Sequence, residues 1–297
     1  MTVLVIGASG YLGAHIFKQM KTLEEIVIGT KRKEGTDDGL IQIDLGVRDE
    51  HIRIKYLVER FKITTILNLA ANDVSPVDRT TDENENTSSF FENLSEVLST
   101  SSDVKLLQIG TSVRPTSEDS YFAAKYKLRN LLENTALKNQ IAVLDLPKVV
   151  GPGEPLGRFT SNLMHSIITS EKQIVLHPCH KRNFISITQV VKIIGEIIRK
   201  WNSGGTEFPS HNAQNLSNYE VSQVILNVVA NATHEVLFSH SPVNTGCEVC
   251  PADELPLLVR PDFFGSKEIS YFLMENEQTV EEALLEQFKT LSLHIRK

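Results

Sequence analysis

The chain has 297 residues, 41% of them hydrophobic and 23% charged, with 37 acidic against 30 basic side chains for a formal net charge of −7. A length near that at which one hydrophobic core stops growing calls for one large domain or a large and a small one, and the composition rules out a disordered chain. The acidic balance offers no basic field to a nucleic-acid backbone or an anionic membrane surface, and no apolar run approaches the roughly 18 residues of a spanning helix, so neither is expected as a partner.

The N-terminus runs directly into Val3-Leu4-Val5-Ile6. Thr2 to Ile6 therefore reads as a strand rather than as the charged start and apolar middle of a signal peptide. Tyr11 to Lys21 reads as a helix with Leu12, Ile16 and Met20 on one side, and Glu25 to Gly29 as a second strand. A helix over Glu50 to Phe61 and a strand over Thr65 to Ala70 follow, then a polar, acidic stretch at Thr80 to Ser89 leading into a helix over Asn86 to Leu98. Lys105 to Gly110 is a strand, Ser120 to Leu137 a long helix and Ile141 to Leu144 a strand. Strands alternating with helices predict an α/β fold, a doubly wound parallel sheet with right-handed crossovers and helices on both faces.

After Pro147 the pattern loosens at the breaker cluster Gly151-Pro152-Gly153-Glu154-Pro155, and a mixed region with short helices follows. Val190 to Trp201 is an amphipathic helix, and Thr279 to Leu291 a late one capped by Thr279 with Glu282 three residues on. The expected organisation is a dinucleotide-binding domain over 1–150, rejoined by about 184–203, and a smaller mixed substrate-binding domain over 151–297. The three cysteines, Cys179, Cys247 and Cys250, are too few for a disulfide framework. Cys247-x-x-Cys250 has no second pair or nearby histidine to complete a metal set, and it opens no helix after a strand as a redox motif would. A reducing, cytoplasmic setting without a metal is expected.

Gly7-Ala8-Ser9-Gly10-Tyr11-Leu12-Gly13 follows the first strand and opens the first helix. Glycine suits this place because the backbone must turn sharply and approach a pyrophosphate with no Cβ between, while the helix N-terminus offers free N–H groups and partial positive charge. The spacing is G-x-x-G-x-x-G, not the general G-x-G-x-x-G, and its position makes Gly7, Ser9, Gly10, Tyr11, Leu12 and Gly13 candidate cofactor residues. An NAD site places a carboxylate at the end of the second strand for the ribose hydroxyls. Here Ile26-Val27-Ile28 runs into Gly29-Thr30-Lys31-Arg32-Lys33, with no carboxylate to repel a phosphate. Either this is a solvated basic loop, or Lys31 and the forked guanidinium of Arg32 bind a 2′-phosphate. NADP(H) is expected rather than NAD(H).

Tyr121 and Lys125 lie four residues apart on a predicted helix and share a face. Alone they read as a surface pair. They are joined by Gly110-Thr111-Ser112, hydroxyls at the carboxyl edge of the sheet, where doubly wound folds hold their ligands. A phenol with an ordinary pKa near ~10 is a poor acid at neutral pH, and a neighbouring ammonium or an oxidised nicotinamide favours its ionised form. Tyr121 can then protonate a carbonyl oxygen as a hydride arrives from the cofactor, with the Thr111 hydroxyl stabilising the same oxygen.

With these motifs the sequence resembles the extended short-chain dehydrogenase/reductase family, the nucleotide-sugar epimerase, dehydratase and reductase group. The resemblance covers most of the chain. Gly7, Gly10 and Gly13 match its glycine motif, Asp44-Leu45 its adenine-contacting pair, and Asn68-Leu69-Ala70-Ala71 its strand-four motif beside the cofactor. Asn86 matches the tetrad asparagine, although Ser89 stands where glycine is usual. Thr111 falls at the catalytic Ser or Thr, or Ser112 if the alignment slips by one, and Tyr121 and Lys125 complete the tetrad. The resemblance implies that Lys125 also binds the nicotinamide ribose. Pro147 to Gly153 resembles the segment after strand six, and Leu216 to Val224 the later Ser-x-x-Glu helix. Arg182-Asn183-Phe184 resembles Arg-Asp-Phe, and Arg260-Pro261-Asp262 the arginine segment holding a substrate diphosphate, so Arg182 and Arg260 are the implied anchors. Asn162 resembles a position near the nucleotide base, while His177 and His180 read as loop histidines.

The group's 4,6-dehydratases carry Asp-Glu directly after the catalytic threonine, where this chain has Ser112-Val113; Glu118 and Asp119 read as charges serving the N-terminus of the Tyr121 helix. Elimination thus lacks its groups. The resemblance and the second-strand end together imply an NADPH-dependent reductase of a nucleotide-linked keto-sugar, of the 4-keto-6-deoxy hexose type, with a 4-epimerase as the alternative. An NADP-binding sensor without turnover is disfavoured because Tyr121, Lys125 and a hydroxyl donor are all kept. The resemblance also implies a homodimer through a four-helix bundle of the Asn86 to Leu98 and Tyr121 to Leu137 helices.

Overall fold

The computed structural model describes residues 1–22, 26–32, 39–70, 83–112, 120–137, 140–169, 181–204, 207–210, 213–233, 270–273 and 278–295. The chain divides into two compact units, Met1–Leu146 with Ile193–Ser210 and Leu257–Met274, and Pro147–Lys192 with His211–Pro256 and Glu275–Lys297.

The first unit is built on six parallel strands, β1 (Thr2–Ile6), β2 (Ile26–Lys31), β3 (Ile41–Gln42), β4 (Thr65–Asn68), β5 (Lys105–Thr111) and β6 (Ile141–Leu146), in the order β3-β2-β1-β4-β5-β6. Between them run α1 (Tyr11–Thr22), α2 (His51–Phe61), α3 (Glu83–Ser99) and α4 (Ser120–Glu133). Every residue of β1, β4 and β6 is buried. That is why these strands read as continuous apolar runs rather than as alternations: a parallel sheet is covered on both faces. Leu4, Ile6, Ile54, Ile66, Leu94, Leu106 and Val143 form one core on a face of this sheet. The strand order reverses between β1 and β4, and ligands of such sheets bind outside the carboxyl ends of the strands at that reversal.

The doubly wound class is as the sequence predicts, and three local differences have physical causes. Strand β2 starts at Ile26 and continues through Thr30 and Lys31, which pair with Ile41 and Gln42 of the two-residue β3. Too short to show a period, β3 was invisible in the sequence. Strand β4 stops at Asn68 rather than Ala70 because the Asn68 side-chain oxygen accepts the Ala70 N–H at 3.1 Å and turns the chain. Helix α6 (Ile187–Asn202) starts three residues before Val190, because the Ser186 hydroxyl accepts the Gln189 N–H at 3.2 Å as a cap. The far end of α6 is fastened within the first unit: Asn202 Nδ2 donates to Thr65 Oγ1 at 2.8 Å, and Lys105 donates to the Trp201 carbonyl.

In the second unit β7 (Lys148–Val150) pairs parallel with β8 (Lys181–Ser186). Strand β10 (Gln214–Ser217) lies antiparallel on β8, while β9 (Glu207–Ser210) and β11 (Ser270–Leu273) pair parallel with each other in the first unit. Helices α5 (Phe159–Thr169), α7 (Asn218–Thr233) and α8 (Val280–Ile295) complete the second unit, whose core includes Met164, Phe184, Val221, Ile225, Leu284 and Phe288.

Two helices there begin with reciprocal caps. Thr279 and Glu282 exchange bonds at the start of α8, as the sequence predicts, with Glu282 N donating to Thr279 Oγ1 at 3.2 Å and Thr279 N to Glu282 Oε2 at 2.7 Å. Ser217 and Glu220 do the same for α7, at 3.1 and 2.6 Å. The Ser217 N–H chiefly, then its hydroxyl and the Lys181 ammonium at 4.0 Å, hold the Glu220 carboxyl below its ordinary range against the opposing effect of burial. A depressed carboxylate contributes stability above its unfolded pKa and loses it as pH falls through the folded one. Because Glu220 is half exposed, solvent screening holds that contribution under about 1 kcal/mol. Glu220→Gln should therefore melt slightly below the parent at pH 7, with the gap closing as pH drops below the carboxylate range. A gap unchanged between neutral and acid pH in calorimetry would show the ionised cap contributes nothing.

Candidate functional site

The turn between β1 and α1 is packed from three sides. Gly7 has φ +83° and donates its N–H to Thr30 Oγ1 at 3.3 Å, while Ala8 N donates to Thr30 O at 2.8 Å. A Cβ on Gly7 would stand 3.0 Å from Ala70 N, and one on Gly13 would stand 2.1 Å from Gly7 O. Both glycines are thus demanded by the fold, one by its left-handed backbone and one by contact. Gly10 is different: it is exposed, and its added Cβ would meet only Gly7 O at 3.4 Å. What glycine leaves there is open space beside the start of α1, whose first turn carries no acidic residue to neutralise its N-terminal charge. Ser9 is also exposed, and Tyr11 and Leu12 are half-buried. This is a cradle that fits a dinucleotide's pyrophosphate.

Thr30, wholly buried, joins this turn to the end of β2. Lys31 is the last strand residue, half-buried, with its carbonyl accepting Ile43 N at 2.9 Å; Arg32 follows, exposed. The chain returns alongside into a turn in which Asp44 Oδ1 accepts Gly46 N at 3.0 Å. The Leu45 side chain belongs to the core, so only its backbone borders this turn. Asn93 of α3, 1% exposed, holds the turn by donating to the carbonyls of Leu45 and Val47 at 2.9 and 2.8 Å and accepting His51 N at 2.9 Å. Sequence reading missed Asn93, although a polar residue beside the buried positions Phe90, Leu94 and Val97 was the signal that could have found it.

At the neighbouring strand ends, Asn68 donates to Gln108 Oε1 at 2.8 Å, and Leu69 N donates to Ile6 O at 3.0 Å. Leu69 and Ala70 are half-buried beside Gly7. Strand β5 ends in Thr111, 8% exposed, followed by Ser112, 1% exposed. Ser112 N donates to Leu146 O at 2.9 Å, while its buried hydroxyl has no hydrogen-bond partner among the described residues. A buried hydroxyl at the carboxyl end of a strand in a doubly wound sheet suits a group that hydrogen-bonds a ligand. Lys125 lies half-buried in the second turn of α4, which packs on β5 and α3. Tyr121 is the second residue of α4, one turn before it, and Asn86 lies in the first turn of α3; the side chains of both fall outside the described residues, as do Ala71 and Arg260 entirely. His177, His180 and the three cysteines also lie outside them.

In the second unit, Pro147 is buried at the head of β7, and Arg182 is half-buried in β8 opposite Leu216. Asn162 is committed locally, its side-chain oxygen accepting Gly157 N at 2.7 Å at the start of α5. Among the described residues no three His, Cys, Asp or Glu side chains converge as a metal site, and no helix is long and apolar enough to cross a membrane.

A family model described as the NAD dependent epimerase/dehydratase family matches residues 3–208. No curated protein matches the sequence significantly. Among solved structures, a dTDP-glucose 4,6-dehydratase of Bacillus anthracis in complex with NAD superposes with a TM-score of 0.71 at 14% identity, covering 100% of this chain and 98% of that one. A UDP-glucose 4-epimerase of Thermotoga maritima with UDP-glucose gives 0.66 at 14%, covering 99% and 100%. The Bordetella bronchiseptica enzyme WbmG with NAD and UDP gives 0.66 at 16%, covering 98% and 94%. At such identities the likeness to solved structures is one of fold.

Proposed function

The chain belongs to the NAD dependent epimerase/dehydratase family, a family of enzymes that bind a nicotinamide cofactor, and from that premise we propose that it is an NADPH-dependent reductase of a nucleotide-linked keto-sugar. The observation that carries this reading is the end of β2, where Lys31 and Arg32 follow the Thr30 that bonds the glycine turn and the strand end itself carries no carboxylate, Asp44 lying in the turn alongside. A ribose carrying a 2′-phosphate suits two cations, and a ribose with free hydroxyls suits a carboxylate. Gly7, Ser9, Gly10, Tyr11, Leu12 and Gly13 would hold the pyrophosphate, Asp44 and Leu45 the adenine side, and Leu69, Ala70, Ala71 and Pro147 the nicotinamide side. When bound, the cofactor supplies the hydride.

The chain's own residues do the rest. Tyr121 donates a proton to the substrate carbonyl oxygen, and Lys125 favours the phenolate that this leaves while holding the ribose. Thr111 or the buried Ser112 hydroxyl donates to the same oxygen, and Asn86 completes the set. Arg182 and Arg260 are assigned to the substrate diphosphate, Asn162 to the neighbourhood of its base, and the second unit as a whole to substrate binding. Two copies are proposed to pair through α3 and α4, where Phe91, Tyr126 and Leu131 line a groove of 770 Å³.

A second reading, a nucleotide-sugar 4-epimerase, is favoured by the family's own pair of reactions. The 4,6-dehydratases that the sequence resembles carry an acid and a base directly after the catalytic threonine, where this chain has Ser112-Val113, so of the two reactions in the family's description epimerisation suits it better. The test is to follow NADPH absorbance with UDP-, dTDP-, GDP- and CDP-linked 4-keto-sugars and, in parallel, inversion at C4 of the corresponding 4-hydroxy nucleotide-sugars with oxidised cofactor. Stoichiometric loss of NADPH with product supports reduction; interconversion without loss supports the epimerase; no turnover overturns both. Arg32→Ala should raise the NADPH dissociation constant about tenfold and the NADH constant hardly at all, since a lost charged hydrogen bond is worth about 1.5 kcal/mol. Equal changes in the two constants would remove Arg32 from the 2′-phosphate.

A further inference from the structure

Arg129 of α4 and Asp145 of β6 meet in the interior of the first unit, Nη1 to Oδ2 at 3.0 Å, with 7% and 4% of their side chains exposed. Around them the same helix and strand bury Leu128, Leu132, Ile141, Val143 and Leu144. A charge pair in such surroundings gives up two hydration shells for one attraction, and apolar side chains of equal volume would hold the helix as firmly. What the pair supplies that apolar contacts do not is direction.

Its placement says what is being directed. A Cβ on Gly110 would stand 2.2 Å from Asp145 Oδ1, so the carboxylate lies directly against the β5 backbone one residue before Thr111. Across the ladder Gly110 is paired with Asp145 and Thr111 with Leu146, whose carbonyl accepts Ser112 N. On the other side, Arg129 is one helical turn beyond Lys125 and two beyond Tyr121, on a single stripe of α4. Its guanidinium also lies 5.4 Å from the centre of the Tyr126 ring. One ion pair thus connects the stripe bearing the proposed ammonium and phenol to the strand end bearing the proposed hydroxyls.

We propose that Arg129 and Asp145 are positioning residues: their buried pair sets the rotation and height of α4 over the sheet, and so the placing of Lys125 and Tyr121 relative to Thr111 and Ser112. The apolar contacts of Leu128 and Leu132 hold α4 down but tolerate sliding and rolling; a guanidinium hydrogen-bonded to a carboxylate wedged against Gly110 does not. The inference rests on the function proposed above, because it takes Lys125 and Tyr121 as the groups being placed.

The test replaces the pair by apolar side chains of similar volume, Arg129→Met with Asp145→Leu, in the full chain. The double variant should melt close to the parent. Its NADPH dissociation constant, read from nicotinamide fluorescence, should rise about tenfold, amide exchange in the first two turns of α4 should quicken, and kcat at saturating NADPH should fall about a hundredfold with the KM for the keto-sugar little changed. A double variant that folds with the parent's NADPH constant and the parent's α4 exchange overturns the proposal. Arg129→Lys keeps the charge and loses the planar guanidinium whose Nη1 makes the bond to Asp145 Oδ2. If the double variant fails to fold, a weakened NADPH constant and faster α4 exchange in Arg129→Lys support the proposal, and parent values overturn it. Lys125→Met, measured in parallel, separates the two levels. If it binds NADPH like the parent, the reading of Lys125 fails, and α4 exchange alone then decides whether the pair sets the helix.

Discussion

Tyr121→Phe is expected to lower kcat by about a thousandfold while leaving the NADPH dissociation constant within twofold of the parent. A positioned proton donor contributes on the order of 10² to 10⁴ in rate, or about 3–5 kcal/mol at the transition state. Phenylalanine removes the proposed donor and changes little else: the ring volume stays, and Lys125 one turn on keeps its proposed place for the ribose. Because the missing proton transfer occurs only in the transition state, kcat and kcat/KM should fall together with KM nearly constant. Pre-steady-state mixing with NADPH and the keto-sugar identified by the absorbance panel reads both quantities. Turnover within tenfold of the parent would take Tyr121 out of the proton's path and, with it, the reductase chemistry proposed for α4.

Gly13→Ala is expected to be strongly damaging for the addition of a single methyl group. In a helix interior alanine is ordinarily better than glycine by about 1 kcal/mol. Here the new carbon would lie 2.1 Å from Gly7 O and 2.9 Å from Ala8 Cα, both backbone atoms that cannot rotate away. Relief requires α1 to move off β1, and Gly13 is buried against that strand's exit. Overpacking of a close-packed interior costs about 1–3 kcal/mol, and a rigid backbone neighbour puts the cost at or above the top of that range. The propensity gain is therefore outweighed. Denaturant unfolding should show a loss of at least about 2 kcal/mol, and NADPH binding should weaken at least tenfold because the displaced helix start carries the proposed pyrophosphate N–H groups. Equal or greater stability in Gly13→Ala would mean that α1 is not seated on the turn as described.

Much of the first unit was legible because its signals are local. Val3 to Ile6 and Ile141 to Leu144 are apolar runs too short for helices, bounded by turn residues, and the structure places a strand at each. The glycine turn was legible for the same reason, since seven consecutive residues carry it. What escaped is either very short or held from afar. Strand β3 is two residues long, and Gln214-Asn215-Leu216-Ser217 has the composition of a loop yet forms β10 because β8 offers it an antiparallel partner. Asn93, Arg129 and Asp145 are polar residues whose partners are 48, 16 and 16 positions away, and nothing in their neighbourhoods announces that they are buried. A helix bearing Lys125, Lys127, Arg129 and Asn130 reads as a solvated surface until the strand beneath Arg129 is known.

The three glycines of the first turn answer to different masters. Gly7 and Gly13 are constrained by the chain's own backbone, whereas at Gly10 the protein presents no obstacle to a side chain. A descendant that abandoned its nucleotide would lose selection at the middle position first, with the outer two preserved by the architecture alone. Among copies of this gene that have diverged, an intact outer pair with a substituted centre would mark lineages where the shape outlived the chemistry.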